Sequence, residues 1–342
     1  MSDSPPRRRP WLAVLRVLLA AGLLGYLIHR ADPAALGAVV RSAVVHREWI
    51  AAGVLLTLAG LAMGALRWHL ILRAQGLPLT LGRSSFFFFI GGFFNAFMLG
   101  ACGGDVARAY LVAADAKKTR RAEAAATVFV DRALGLLAVM GFCCGMILYR
   151  LPVFDGPNDL RLTAELMLVL TVLSLAGLVL IFRRNLFETW GWLGRLDARS
   201  KTVHLARRVY EAFRLYRNRP GTLAAAVVLS IANLLFLAGA CVCFGLSMGL
   251  EVPWADYLTW YPIITVLASI PLTPGGLGVR EGLFVTLFRV SGVSGPPAVV
   301  LSLMVYAGSL VWSLFGGVLF LFQAAGAGRS WREELREMKE SA

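Results

Sequence analysis

The chain of 342 residues is 58% hydrophobic and only 16% charged, with a mean hydropathy of +0.69. Those proportions exclude a soluble globular protein and describe an integral membrane protein. The formal charge of +14 lies mainly in short segments between apolar runs and at the chain ends, which argues against a nucleic-acid surface and for membrane topology and contact with anionic lipid.

Arg7, Arg8 and Arg9 precede an apolar run from Trp11 to about Ile28. The run begins like a signal peptide but continues without a small-residue cleavage site, so a retained first helix is predicted over residues 11–29. Residues 49–66 predict a second helix; at about 1.5 Å per residue each covers about 30 Å of hydrocarbon. Arg67-Trp68-His69 at its end reads as an interfacial anchor, with a headgroup contact as the alternative. Ser84 to Gly104 is uncharged, yet Gly91-Gly92, Asn95, Gly100 and Gly103-Gly104 interrupt it. That spacing predicts a helix that enters and turns, with a short helix from Asp105 to about Ala113 running back. Within it, Phe86 to Phe89 read as lipid-facing or packing residues.

Residues 124–149, despite Asp131 and Arg132, and then 163–182 and 221–246 predict three more spans. The basic segment 183–220 holds ten Lys and Arg residues, and residues 195–217 within it read either as an amphipathic helix on the cytoplasmic leaflet or as a solvated connector. Tyr257 to Val279 is again uncharged, but Pro262, Pro271, Pro274, Gly275, Gly276 and Gly278 stop a continuous helix and predict a second hairpin. A Gly295-Pro296-Pro297 loop then leads into a last span ending near Phe322.

The expected fold is therefore an all-α polytopic bundle of about six full spans and two glycine-broken re-entrant hairpins. It forms one membrane domain over residues 1–328, with a short cytoplasmic tail at 329–342. Basic residues cluster before the first helix, after the second, before residue 124, in 183–220 and in the tail, whereas residues 247–256 hold none. This pattern predicts both termini on the cytoplasmic side of the inner (plasma) membrane; the three arginines of residues 30–48 depart from it. The hairpins would then enter from opposite faces. Opposed hairpins are what an inverted repeat produces, and paired interruptions point to a transport site, although no clear residue-level repeat accompanies them.

Cys102, Cys143, Cys144, Cys241 and Cys243 lie in apolar stretches without a metal-type CxxC pair and read as small core residues. His29, His46 and His204 fall at or beyond span ends and read as solvated. No GxxxxGK[ST] or HExxH motif occurs, and Gly276 to Glu281 approaches GxGxxG but places Glu281 where the third glycine belongs. No catalytic set, metal site or cofactor is expected.

Backbone amides freed at a helix break inside a bilayer need partners within the protein or in a wet cavity, so broken helices usually line a polar route. Both breaks carry charges. In the first, Asn95, Gly103 and Gly104 precede Asp105, placed to cap the half-helix, and Arg108, three residues on along the same face. In the second, Thr273-Pro274-Gly275-Gly276 allow close backbone approach while Arg280 offers a bidentate fork to phosphate oxygens. Asp131-Arg132 and Glu281 complete the set, the carboxylates balancing the cations when no lipid is bound. The competing reading makes Asp105 with Arg108, and Asp131 with Arg132 or Arg280, ion pairs that only fix helix packing.

Phe93-Phe94-Asn95 through Gly103-Gly104-Asp105 and Arg108, Asp131-Arg132-Ala133-Leu134-Gly135, and Pro271-Leu272-Thr273-Pro274-Gly275-Gly276-Leu277-Gly278-Val279-Arg280-Glu281 together resemble the membrane region of lysylphosphatidylglycerol synthases and its stand-alone relatives, a flippase-like family. The resemblance covers nearly the whole chain and departs from the family pattern at Leu99-Gly100, where a proline usually precedes the glycine. In two-part synthases the membrane region is associated with moving the lipid between leaflets, while a soluble C-terminal domain attaches the amino acid. Because the chain ends about twenty residues after its last predicted helix, the resemblance implies a flippase-like unit without the transferase half. The expected function is translocation of a phosphate-bearing lipid or lipid-linked intermediate, its anionic headgroup passing through one central polar cavity between the two hairpins, either passively or coupled to protons carried by Asp105 or Glu281, with a lipid-modifying enzyme as partner. Two other classes stay open: a membrane enzyme acting on lipid-linked phosphates or sugars, and a scaffold recruiting a partner through residues 183–220.

Overall fold

A computed structural model describes residues 45–97, 103–116, 120–155, 158–183, 210–211, 216–270, 273, 276, 278–293 and 295–340. The predicted first helix at 11–29, His29, His204, Cys102 and most of the basic segment, including most of the proposed amphipathic stretch, lie outside the described residues. The described chain is all α apart from two short 3-10 turns. Ten helices follow in order: α1 (Arg47–Ala74), α2 (Leu81–Phe97), α3 (Gly103–Asp115), α4 (Arg121–Tyr149), the single-turn α5 (Leu151–Phe154), α6 (Asn158–Arg183), α7 (Pro220–Ser247), α8 (Trp254–Ala268), α9 (Val279–Phe288) and α10 (Gly295–Glu340). Five of these, α1, α4, α6, α7 and α10, contain stretches long and apolar enough to cross a membrane. The protein is thus an all-α polytopic membrane protein.

The centre is the antiparallel pair α1 and α7, which make the most extensive contact in the molecule. Small residues permit it. Gly53 on α1 lies against the Phe244 ring, Gly60 against Leu237, and Gly64 against the Asn233 amide. Between apolar helices in lipid, such close backbone approach supplies the packing energy that hydrophobic burial supplies in water. Around this pair, α4, α8, α9 and α10 build the largest core, where Trp260, Tyr257, Phe244, Phe284 and Phe288 are fully buried. By contrast, Leu162, Leu166, Val169, Val172 and Leu173 of α6 remain exposed, the pattern of a lipid-facing surface. Tyr216 anchors the entry to α7 by donating its hydroxyl to the Ile71 carbonyl at 2.9 Å.

Three boundaries differ from the sequence reading, each for a local reason. Helix α1 continues through Arg67 to Ala74, because Arg67 finds buried partners and need not end the apolar run. Pro262 sits inside α8 instead of stopping it, since it removes one N–H from a helix whose surroundings are otherwise packed. Gly295-Pro296-Pro297 forms the first turn of α10, where the prolines lack N–H groups that would have had no intrahelical partner there. The backbone of α10 stays helical through Glu340, across the region predicted to be a tail. Cys143, Cys241 and Cys243 are buried free thiols among the helices, in keeping with core positions.

Both glycine-broken segments form helical hairpins. Helices α2 and α3 pack on each other, and so do α8 and α9. Phe87 is buried and the Phe89 carbonyl meets Gly316 of α10, so at least part of the phenylalanine run packs inside the protein.

Candidate functional site

The first hairpin closes on glycine. A β-carbon at Gly104 would strike the Gly91 carbonyl oxygen and the Asn95 side chain, so α2 and α3 can meet at this distance only because both positions are glycine. Asn95 secures the contact: its Oδ1 accepts the Gly104 N–H at 2.9 Å. Asn95 therefore satisfies an orphan amide at the start of α3, the part expected of Asp105. Gly103 begins that helix, and Asp105, in its first turn, is engaged by Arg132 instead.

One turn beyond Gly104, Arg108 projects into the protein. Its Nη2 donates to Asp131 Oδ2 at 3.0 Å, while Arg67 Nε donates to Asp131 Oδ1 at 2.8 Å. Arg67 Nη1 also donates to Ser230 Oγ on α7 at 2.9 Å. The Arg108 guanidinium lies over Trp68 at 4.2 Å and Phe88 at 4.7 Å, flanked by ring faces that stabilise a desolvated cation. Asp131 is 1% exposed and Arg108 5% exposed, so this is a network inside the bundle. At its margin Arg132 Nε donates to Asp105 Oδ2 at 2.7 Å, and Asp105 lies 3.8 Å from Arg108.

The pairing corrects the sequence reading. Asp131 meets Arg67 and Arg108, not Arg132 or Arg280, because successive residues on a helix point about 100° apart and only one of the two can face inward. Five charges gather here: Arg67, Arg108 and Arg132 against Asp105 and Asp131, an excess of one positive charge. Two polar atoms, Arg108 Nε and Asp105 Oδ1, are buried without a hydrogen-bond partner. Arg108 thus keeps one N–H donor, and Asp105 one carboxylate oxygen, outside the hydrogen bonds of the network.

At the second break, Gly276 and Gly278 adopt φ of +71° and +84°, a left-handed conformation that side-chain-bearing residues rarely take. Thr273 is buried, and its carbonyl accepts the Gly276 N–H at 3.2 Å; Pro274 and Gly275 lie outside the described residues. Glu281 caps α9 by accepting the Gly278 N–H on Oε2 at 2.5 Å, and it is fully buried. Arg280 Nη2 donates to Glu281 Oε1 at 2.6 Å and its Nε to Ser302 Oγ at 3.1 Å, with the guanidinium over the Tyr306 ring at 4.6 Å. Ser302 in turn donates to Glu281 Oε1 at 3.1 Å.

The expected site residues therefore gather into two clusters. Asn95, Gly104, Asp105, Arg108, Asp131 and Arg132 form one; Gly276, Arg280 and Glu281 form the other. Among the described residues, no hydrogen bond or ion pair joins the two. Sequence reasoning missed Ser230, Ser302 and Tyr306, and it read Arg67 as an interfacial anchor or headgroup contact instead of a buried partner of Asp131. For Arg67 a signal existed, since Trp68, Leu70, Ile71 and Leu72 continue the apolar run past it. A third pair, half-buried Arg150 with buried Asp256 at 2.5 Å, ties the end of α4 to the start of α8 and carried no motif. Beside the first cluster, His69 accepts or donates a bond with Ser84 Oγ at 3.0 Å and lines an open groove with Arg73, Gly76, Leu77 and Thr80.

Comparison with known proteins places this geometry in context. A family model described as the lysylphosphatidylglycerol synthase TM region matches residues 13–317, which takes in both clusters. A membrane protein named UPF0104, from Methanothermobacter thermautotrophicus, is 38% identical over 52 residues, covering 15% of this chain and 14% of that relative's length.

Proposed function

The chain belongs to the family of lysylphosphatidylglycerol synthase transmembrane regions, and on that premise we propose that it carries a lipid with an anionic, phosphate-bearing headgroup from one leaflet to the other. One observation carries the reading: two buried arginines, Arg67 and Arg108, share the single buried carboxylate of Asp131, leaving one positive charge in excess directly behind a helix break, with the Arg132–Asp105 pair at its margin. A charge is costly to hold in a bilayer interior, and an anionic headgroup offsets this one while it takes up the unused Arg108 Nε donor.

In this reading α2–α3 and α8–α9 are re-entrant hairpins that enter a plasma membrane from opposite faces, with both termini cytoplasmic. The groove at His69 and Arg73 admits the headgroup at the membrane surface, and Trp68, adjacent in sequence, leads to Arg108. Acyl or prenyl tails stay in lipid. Asp131 holds the two guanidiniums together when no headgroup is present, and a lipid-modifying enzyme supplies or consumes the cargo. Movement is passive or driven by protons carried on Asp105 or Glu281.

Purified protein in proteoliposomes containing fluorescently labelled phosphatidylglycerol tests the reading. Protein-containing vesicles are expected to expose inner-leaflet label to an external quencher faster than protein-free vesicles. Equal rates, repeated with other anionic lipids, would count against lipid movement.

A further inference from the structure

Helix positions recur with a nearly constant step. From Arg47, where α1 begins, to Pro220, where α7 begins, is 173 residues, and the same step separates Leu81 of α2 from Trp254 of α8. From Arg121 of α4 to Gly295 of α10 the step is 174, and α3 and α9 begin 176 apart, at Gly103 and Val279, while in sequence the step from Gly103-Gly104 with Arg108 to Gly275-Gly276 with Arg280 is 172. At a step of 173, seven of the 28 positions of α1 and α7 are identical, among them Ala51 with Ala224, Val54 with Val227 and Leu61 with Leu234.

The packing repeats as well. Exchanging α1 with α7, α2 with α8, α3 with α9 and α4 with α10 turns every substantial contact among these eight helices into another that is present: α2 on α10 becomes α8 on α4, α3 on α4 becomes α9 on α10, and α1 on α10 becomes α7 on α4. Single residues obey the exchange. Thr57 and Ser230, 173 apart, each donate to the carbonyl four residues back, at 2.8 and 2.7 Å. Gly135 and Gly308, also 173 apart, mark equivalent close approaches: Gly135 of α4 lies against Arg67 of α1 beside Ser230, and Gly308 of α10 lies against Phe244 of α7 beside Thr57.

The sense of the symmetry follows from α1 and α7. Their contacts Gly53 with Phe244, Gly60 with Leu237, Gly64 with Asn233 and Arg67 with Ser230 are pairs whose numbers each add to 297, as in an antiparallel pair of fixed register. A sum of 297 and a step of 173 meet at Ala62 and Leu235. A two-fold axis there runs across the helices, so it exchanges the two membrane faces. Arg67, which binds Asp131, lies five residues to one side of Ala62. The exchange carries the Arg108 cluster to the opposite side, where, at the step of 172 set by the glycine pairs, the aligned residue is Arg280.

We infer that residues 47–149 and 220–322 are two inverted copies of one four-helix unit, and that Arg108 and Arg280 are its two equivalent anion-binding positions, one on each side of mid-depth. The likeness extends to their surroundings. Each arginine sits just behind a glycine pair, bonds a buried carboxylate, Asp131 or Glu281, and lies over an aromatic ring. The headgroup path is then a transfer between two stations instead of passage through one central chamber. This second half rests on the transport reading; the repeat itself does not.

Two arms separate them. Leu81→Cys and Trp254→Cys, at exposed and equivalent positions, are introduced singly into a chain whose five cysteines are replaced by serine, then treated with a membrane-impermeant maleimide in right-side-out and inside-out vesicles. Labelling from opposite faces is expected; labelling from the same face overturns the inverted repeat, whatever the transport result. In proteoliposomes with labelled phosphatidylglycerol, Arg108→Gln and Arg280→Gln are each expected to slow transfer about tenfold or more, with Arg280→Lys retaining a larger share and each purified variant monodisperse. Wild-type transfer by a monodisperse Arg280→Gln variant overturns the second station. If the wild type itself moves no lipid, the transport reading and the stations fail together, while the labelling still decides the repeat.

Discussion

Asp131→Ala is expected to cost the folded protein about 3–5 kcal/mol, enough to threaten folding. The carboxylate is 1% exposed and is the shared acceptor of Arg67 and Arg108, at 2.8 and 3.0 Å. Its removal leaves two guanidiniums facing each other in a low-dielectric interior, each lacking its main acceptor. Loss of one member of a buried pair is far more damaging than replacement of the whole set, because the survivor keeps its desolvation cost and loses its compensation. Asp131→Asn retains an acceptor oxygen and should fall between. Thermal melting in detergent reads the difference: the midpoint drops in the order wild type, Asn, Ala. An Ala variant melting with the wild type would mean that the network contributes nothing to holding α1, α3 and α4 together.

Gly104→Ala should open the first hairpin. The added β-carbon meets a backbone carbonyl, that of Gly91, and neither chain can rotate it away as a flexible side chain could. Overpacking of this kind costs about 1–3 kcal/mol, and here the relief is separation of α2 from α3. Arg108, four residues along α3, would move with it and stretch its bond to Asp131. Hydrogen exchange should therefore rise across residues 81–115, and lipid transfer should fall. Gly92→Ala is the control, since nothing lies near its β-carbon, and it should change stability by no more than about 0.5 kcal/mol. Equal behaviour of the two variants would remove the glycine contact from the account.

What could be read from residues alone follows from the length scale of each signal. The spans and both breaks are properties of continuous segments, so among the described residues hydropathy and the glycine positions located them, except where a helix runs on past its predicted end, as α1 does to Ala74 and α10 to Glu340. The membership of the first cluster was also legible, because Asp105, Arg108, Asp131 and Arg132 are conspicuous charges in apolar surroundings. Their pairing was not. Arg67 and Asp131 are 64 positions apart, and only the packing of α1 on α4 brings them together. Arg67 looked like the end of a span because a charge ends a hydropathy run even where the helix continues. Pro262 misled in the opposite way: proline signals a break by local chemistry, yet α8 tolerates it. An inverted repeat was suggested by the two opposed breaks, but its residue-level register was not legible, because its matches are largely Ala, Val and Leu, which any two apolar helices share by composition. Only constant register and exchanged contacts distinguish it.

Replacing Arg67, Arg108 and Asp131 together, as Arg67→Met, Arg108→Met and Asp131→Leu, separates a headgroup site from a structural ion network. Exchanging an entire buried charge set for apolar residues of similar size is commonly neutral or stabilising, so the variant should purify monodisperse and melt no lower than the wild type. In proteoliposomes it should move labelled phosphatidylglycerol no faster than protein-free vesicles do. Transfer at the wild-type rate by that folded variant would contradict the account.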